Sequence, residues 1–208
     1  MASSDVQDRR EPRVATVGRF AAVVLAAGAG SRFGGGKLLA DYGGAPLLHA
    51  ALAAARAAPA QFVTLVTGAD AEAVAACARS FDPGVRVVHA ADHAQGMAAS
   101  LRAGIASLEP GLDGAFVFLG DMPRVPHAVL APLAAAIEAG APAAAPVFAG
   151  QRGNPVVLGR ALFGDVAALR GDVGARPILQ GLGAALAQVE APDDGVLFDV
   201  DVREDLPR

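Results

Sequence analysis

From Phe20 to Gly140 the chain alternates short apolar runs with longer amphipathic stretches, and that alternation restricts the fold more than any other feature. Phe20–Leu25, Phe62–Val66, Val85–His89 and Ala115–Leu119 read as buried strands. Between and after them, Pro46–Ala58, Asp70–Phe81, Met97–Leu108 and Pro126–Ala139 read as helices. Asp70 stands where an N-cap belongs, and Pro126 opens its helix as proline can. A β-α-β-α-β-α-β-α order demands a mainly parallel sheet between two helical layers, a three-layer α/β/α fold. After Gly140 the rhythm loosens. Ala143–Phe148 and Pro155–Leu158 read as strands joined by the turn Ala149–Gly153, Ala175–Leu182 as a helix, and Leu186–Val189 and Val196–Val200 as short strands. These later strands extend or cap the sheet with a mixed edge.

The 208 residues suit one domain. The expected division is a disordered polar tail over residues 1–18 and a single domain over 19–208. A hydrophobic share of 53% supplies a sizeable core, and the 25 glycines and 14 prolines are spread as punctuation between short elements. The net charge of −4 and the lack of any like-charge block argue against nucleic acid or a membrane surface as partner. A small anion can still bind where a few basic residues gather. Cys77 is the one cysteine, and no Cys/His cluster has zinc spacing, so a reducing cytoplasm is the expected setting. Arg9, Arg10 and Arg13 ahead of Phe20–Ala29 resemble a twin-arginine signal peptide. The rival reading is a tail followed by the first core strand. It is favoured because the apolar run passes straight into a glycine-basic loop that no cleavage site requires. No run approaches the roughly 18 apolar residues of a membrane span.

That loop is the strongest local signal: Leu25-Ala26-Ala27-Gly28-Ala29-Gly30-Ser31-Arg32-Phe33-Gly34-Gly35-Gly36-Lys37. It follows the first strand, and open α/β sheets bind ligands beyond the carboxyl ends of their strands. Glycines let backbone N–H groups approach a phosphate; Arg32 can fork onto its oxygens, and Lys37 supplies a point charge. Two familiar phosphate loops do not fit. The glycine spacing is not that of a dinucleotide fingerprint, and the second strand runs into Thr67-Gly68 with no acid. Gly36-Lys37 is followed by Leu38 and not by the hydroxyl residue of a P-loop.

The segment resembles the signature L-A-A-G-x-G-x-R-[FM]-G-x-x-K of the MobA-like nucleotidyltransferase family, and within it the molybdenum-cofactor cytidylyltransferases. The resemblance runs from about Ala21 to the C-terminus and implies a Rossmann-like nucleotidyltransferase fold. Gly120-Asp121-Met122-Pro123, past an apolar strand, resembles the family's metal-binding Gly-Asp-x-Pro element. Phe198-Asp199-Val200-Asp201 resembles the acidic ending that completes the metal site, with Val202-Arg203 in place of the usual Thr-Pro. Asp201 is the expected second ligand beside Asp121; in a strand Asp199 and Asp201 share one face. Gly96-Met97-Ala98-Ala99-Ser100-Leu101 resembles an element that lies against the nucleotide, with Ser100 able to bond base or ribose. His93 stands where the family carries tryptophan. Arg152, Asn154 and Arg176 match the family's R-x-G-[HN]-P and G-D-x-G-A-R turns and suit an anionic acceptor, while Asp172 orders its own turn.

The nucleotide site expected from this resemblance comprises Leu25, Ala26, Ala27, Gly28, Gly30, Ser31, Arg32, Lys37, Ser100 and Asp121. Arg32, Lys37 and Asp121 carry the chemistry, with Mg2+ or Mn2+ held by Asp121 and Asp201. The implied reaction transfers CMP from CTP to a molybdopterin acceptor, with a molybdenum hydroxylase or its chaperone as partner. Ala27, where guanylyl relatives carry a glycine, narrows the base pocket toward a pyrimidine. A GTP-using transferase, a chaperone that only holds the cofactor, and a nicotinamide oxidoreductase stay open as alternatives. The missing acid after the second strand speaks against the last.

Overall fold

The computed structural model describes residues 18–207. The expected tail, with Arg9, Arg10 and Arg13, lies outside the described residues save for Gly18, whose N–H donates to Glu138 Oε1 at 2.7 Å. An eight-stranded sheet is flanked by helices on both faces. In chain order the elements are β1 Phe20–Ala26, α1 Leu47–Ala57, β2 Val63–Thr67, α2 Ala71–Phe81, β3 Arg86–His89, α3 Met97–Ala106 and β4 Gly114–Leu119. There follow α4 Leu130–Glu138, β5 Ala143–Phe148, β6 Gln151–Arg152, β7 Val156–Gly159, α5 Phe163–Ala168, α6 Arg176–Gly181 and β8 Leu186–Glu190. Among the described residues no helix is long and apolar enough to cross a membrane.

The sheet order is β3-β2-β1-β4-β7-β5-β6, with β8 paired to β5. Strands β1 to β4 pair in parallel, β7 runs antiparallel between β4 and β5, and β8 is parallel to β5. The sheet is mixed as expected, but the reversed strand β7 lies inside it and not at its edge. β1 is buried along its whole length, which is why its sequence reads as a continuous apolar run. Its alternate residues serve two cores. Ala22, Val24 and Ala26 pack with α1, α2 and α4, whereas Val23 and Leu25 pack with α3, α5 and α6.

Several expectations need correction. Val196–Val200 is not a strand. It is a 3-10 turn, Asp194–Val196, followed by irregular chain that touches the rest through single bonds: Asn154 N–H to the Val196 carbonyl at 2.8 Å, and Val200 N–H to the Asp121 carbonyl at 3.0 Å. The turn expected over Ala149–Gly153 is tighter, because Gln151–Arg152 pairs back onto β5 and leaves Ala149-Gly150 as the reversal. Asp70 occupies the cap position of α2 without a side-chain cap bond. The Pro126 helix begins as a 3-10 turn, His127–Val129, before α4.

Candidate active site

Chain connections change side between β1 and β4. The α1 layer carries the chain from β1 to β2, and α3, on the opposite face, returns it to β4. A crevice opens at such a switch point. The glycine loop enters it directly after Ala26. Two buried side chains pin the loop, Phe33 at 3% exposed and Leu38 at 8%. Between them Gly34, Gly35 and Gly36 take φ of 90°, 90° and 64°, a left-handed run that side-chain-bearing residues resist. The run returns the chain so that Lys37 faces β4.

Lys37 Nζ lies 2.6 Å from Asp121 Oδ2 and 3.8 Å from Asp201 Oδ1. Arg32 Nη1 lies 3.1 Å from Asp201 Oδ2. The lysine side chain is only 12% exposed, whereas that of Arg32 is 79% exposed. Asp121 leaves β4 at the point where Gly120 N–H bonds the Leu25 carbonyl at 2.9 Å, locking the ends of β1 and β4 together. The Val200 N–H bond to Asp121 then draws the C-terminal acids in. Asp205 stabilises that segment by accepting from the N–H groups of Asp201 at 2.8 Å and Val202 at 3.0 Å. These bonds hold the turn that Val202-Arg203 would otherwise leave without its usual Thr-Pro, and they lower the Asp205 pKa, Val202 contributing most. Phe33, Leu47 and Val200 form a small apolar cluster beneath, and the Arg203 guanidinium lies 4.7 Å over the Phe33 ring.

A third carboxylate, Asp199, completes the group. Loss of hydration, then the charges of Asp121 and Asp201, push its pKa above the ordinary value, with Lys37 opposing the rise. The expectation gave Asp199 no ligand role. The alternation that seemed to aim it is absent, and its placement comes from the bonds that tie Val196 and Val200 to distant chain.

Two adjoining cavities meet here. One, of about 410 Å³, is lined by Leu25, Ala27, Gly28, Arg32, Ser100 and the three acids, together with His93, Gly96, Met97 and Asp172. The other, of about 200 Å³, contains the expected acceptor residues Arg152, Asn154 and Arg176, and shares Leu25, Met97, Leu119 and Asp172 with the first. Of the expected nucleotide residues, Ala26 turns its side chain into the core, Gly30 and Ser31 sit in the loop without lining either cavity, and Lys37 reaches the larger cavity only through its contacts with Asp121 and Asp201. His93 lines the larger cavity and not the acceptor one.

Asp172 does more than order its own turn. Its carboxylate accepts from the Met97 N–H at 3.0 Å, while the Gly171 carbonyl accepts from Ala98 at 3.0 Å, so the turn caps the start of α3. A Cβ on Gly96 would stand 2.7 Å from the Gly171 carbonyl carbon, and only glycine permits that approach. Spacing along the chain gives no sign of this bond across 75 residues.

The donor set fits a divalent cation of the magnesium type. Among the described residues no three His, Cys, Asp or Glu side chains are grouped so as to hold a metal ion by themselves, so protein carboxylates supply only part of such a shell. Two or three carboxylate oxygens at an open cavity, with water and phosphate oxygens supplying the rest, is how such ions are held beside nucleotides.

The chain is similar in sequence and fold to known proteins. The chain is 38% identical over 140 residues to the bifunctional protein GlmU of Xanthobacter autotrophicus, covering 66% of this chain and 31% of that protein. It thus spans about a third of the length of this curated relative, 31%. Rv0371c of Mycobacterium tuberculosis superposes with a TM-score of 0.80 at 32% identity over 91% of this chain and 96% of that one. Its manganese complex superposes at 0.74 and 30% identity over 90% and 95%. A nucleotidyl transferase from Methanothermobacter thermautotroptrophicus gives 0.74 at 28% identity over 90% and 94%. The model of the MobA-like NTP transferase domain matches residues 22–191, from the first strand through the last. With its glycine loop, its acids and its sheet in that order, the chain belongs to the MobA-like NTP transferase family.

Proposed function

We propose that the protein is a CTP:molybdopterin cytidylyltransferase, converting CTP and the molybdopterin cofactor into molybdopterin cytosine dinucleotide and pyrophosphate. The observation that carries the reading is the meeting of Lys37 and Arg32 with Asp121, Asp199 and Asp201 at the mouth of a cavity that adjoins a second one bearing Arg152 and Arg176. One cavity takes the triphosphate; the other takes an acceptor that carries its own phosphate.

The acceptor phosphate is already ionised, so no general base is needed. One of its oxygens attacks the α-phosphorus, a new P–O bond forms, the α–β bridging P–O bond breaks, and pyrophosphate leaves with the electron pair. Lys37 and Arg32 hold the phosphates in line and offset the charge gathering on the leaving group. Asp121 and Asp201, with Asp199 beside them, would hold the divalent ion. When bound, that ion neutralises phosphate charge and polarises the phosphorus centre. Binding requires Lys37 and Arg32 to turn from the carboxylates toward phosphate oxygens. The manganese complex of Rv0371c supports a divalent requirement.

Ala27, which lines the larger cavity, supports cytosine over guanine, because a side chain at this position leaves less room for a bicyclic base than a glycine would. The product would pass to a molybdenum hydroxylase or its chaperone in the cytoplasm, where Cys77 stays a thiol. The test uses CTP labelled at the α-phosphate. Label should appear in a pterin-containing product, and label from the γ-phosphate should not. Transfer of GMP in place of CMP would keep the chemistry and overturn the base assignment. Cofactor that binds without any transfer would leave a holding protein.

A further inference from the structure

His93 replaces an expected tryptophan, and the cavity around it shows what the imidazole can do. The side chain follows β3 in the 3-10 turn His93–Gln95. Its Nδ1 lies 3.0 Å from the carbonyl oxygen of Ala90. A carbonyl oxygen only accepts, so Nδ1 carries the proton and donates. In the neutral imidazole this tautomer leaves Nε2 as the lone-pair acceptor. Among the described residues Nε2 has no hydrogen-bond partner in the protein. The ring is held from two other sides. The His89 ring stands edge-on at 6.0 Å, and the Gly68 backbone packs against His93 so closely that a Cβ there would come within 2.8 Å of Cγ. The same Cβ would come within 2.4 Å of the Ala27 carbonyl oxygen, so Gly68 is what lets His93 and Ala27 form one continuous wall.

Ala27, His93 and Ser100 line the nucleotide cavity together. None of them is among the residues that draw phosphate, which are Arg32, Lys37 and the metal-holding acids. A nucleotide with its phosphates on the glycine loop would lay its base against this wall.

We propose that His93 reads the base, its Nε2 accepting a hydrogen bond from the exocyclic amino group of cytosine. The inference rests on the reading that this cavity holds CTP. Uracil offers a carbonyl oxygen at the same place, which would face Nε2 lone pair to lone pair. An acceptor covered by the bound base and left without its donor discriminates against that base. His93 thus excludes UTP, while Ala27 limits the base to one ring.

The test is calorimetric binding of CTP and UTP, each with magnesium, to the wild-type chain, H93F and H93Q, with thermal melts to confirm folding. The wild type should favour CTP by about tenfold or more. H93F keeps an aromatic ring without an acceptor and should bring the preference below about threefold, mainly by weakening CTP. H93Q should keep CTP within a few-fold and tighten UTP, because a carboxamide can turn either its oxygen or its amino group to the base. H93F retaining the wild-type preference would overturn the proposal. If H93F fails to fold, H93Q retaining that preference does the same. Wild-type chain that binds both pyrimidines equally sinks the role of His93 and leaves nucleotide transfer standing. Wild-type chain that binds no nucleoside triphosphate sinks the functional reading and this proposal together.

Discussion

Lys37→Ala removes the least exposed cation of the site. A lysine ammonium about 4 Å from a phosphate oxygen contributes about 4 kcal/mol at the effective dielectric of a partly buried pair. In the free protein that ammonium already sits 2.6 Å from Asp121, so only the difference between phosphate and carboxylate counts. Taking about half leaves about 2 kcal/mol, or roughly thirtyfold in rate at 1.4 kcal/mol per decade. Preorganised donors to developing charge reach about a hundredfold to a thousandfold. The variant should therefore turn over between about thirtyfold and a thousandfold more slowly in a steady-state pyrophosphate assay at saturating CTP and magnesium. Its fold should survive. Losing one cation beside three acids costs about 1 kcal/mol, a drop of a few degrees in Tm. Lys37→Met, which keeps the aliphatic stem, should behave alike and separates charge from packing. A Lys37→Ala variant within threefold of wild type, with an unchanged melt, would refute the reasoning.

Three further outcomes follow from the same geometry. Asp199→Asn should raise Tm at pH 7, because the native state holds this carboxylate at a disadvantage. The sign is that of an acid whose folded pKa is raised: the penalty is complete above the folded pKa and fades as pH falls toward 3.8, so the gain measured by thermal melts should vanish in acid. The same variant should need more magnesium for half-maximal turnover. Asp172→Ala removes the carboxylate that caps α3 and should cost about 1 kcal/mol in a urea titration. It should also raise KM for both substrates, since Asp172 borders both cavities. Arg176→Ala should raise the acceptor KM about tenfold in initial-rate assays and leave the CTP KM unchanged; a change in the CTP KM alone would move Arg176 out of the acceptor cavity.

The first half of the fold was legible because buried parallel strands write themselves as unbroken apolar runs. Phe20–Ala26, covered on both faces, is the plainest case. Arg152, Asn154 and Arg176, picked out by two separate turns, line one cavity. Legibility failed where structure depends on contacts distant in sequence. Val196–Val200 alternates like a strand, yet it lies against Asp121 and Asn154 through one bond to each and has no partner strand to pair with. The short helix α5, Phe163–Ala168, buries Val166 with little periodic signal and went unforeseen. Asp172 reads as a local turn former until α3 is seen starting against it. Asp199 reads as the lesser of two alternating acids until three carboxylates are seen around one lysine. The glycine loop stands out in the sequence, but not the two buried anchors, Phe33 and Leu38, that give it one shape.

The most direct test of the central claim is pyrophosphate release from CTP and, separately, from GTP, with magnesium and with or without molybdopterin cofactor. The account predicts release from CTP only when cofactor and magnesium are both present. No release from either nucleotide, with cofactor demonstrably bound, would contradict it.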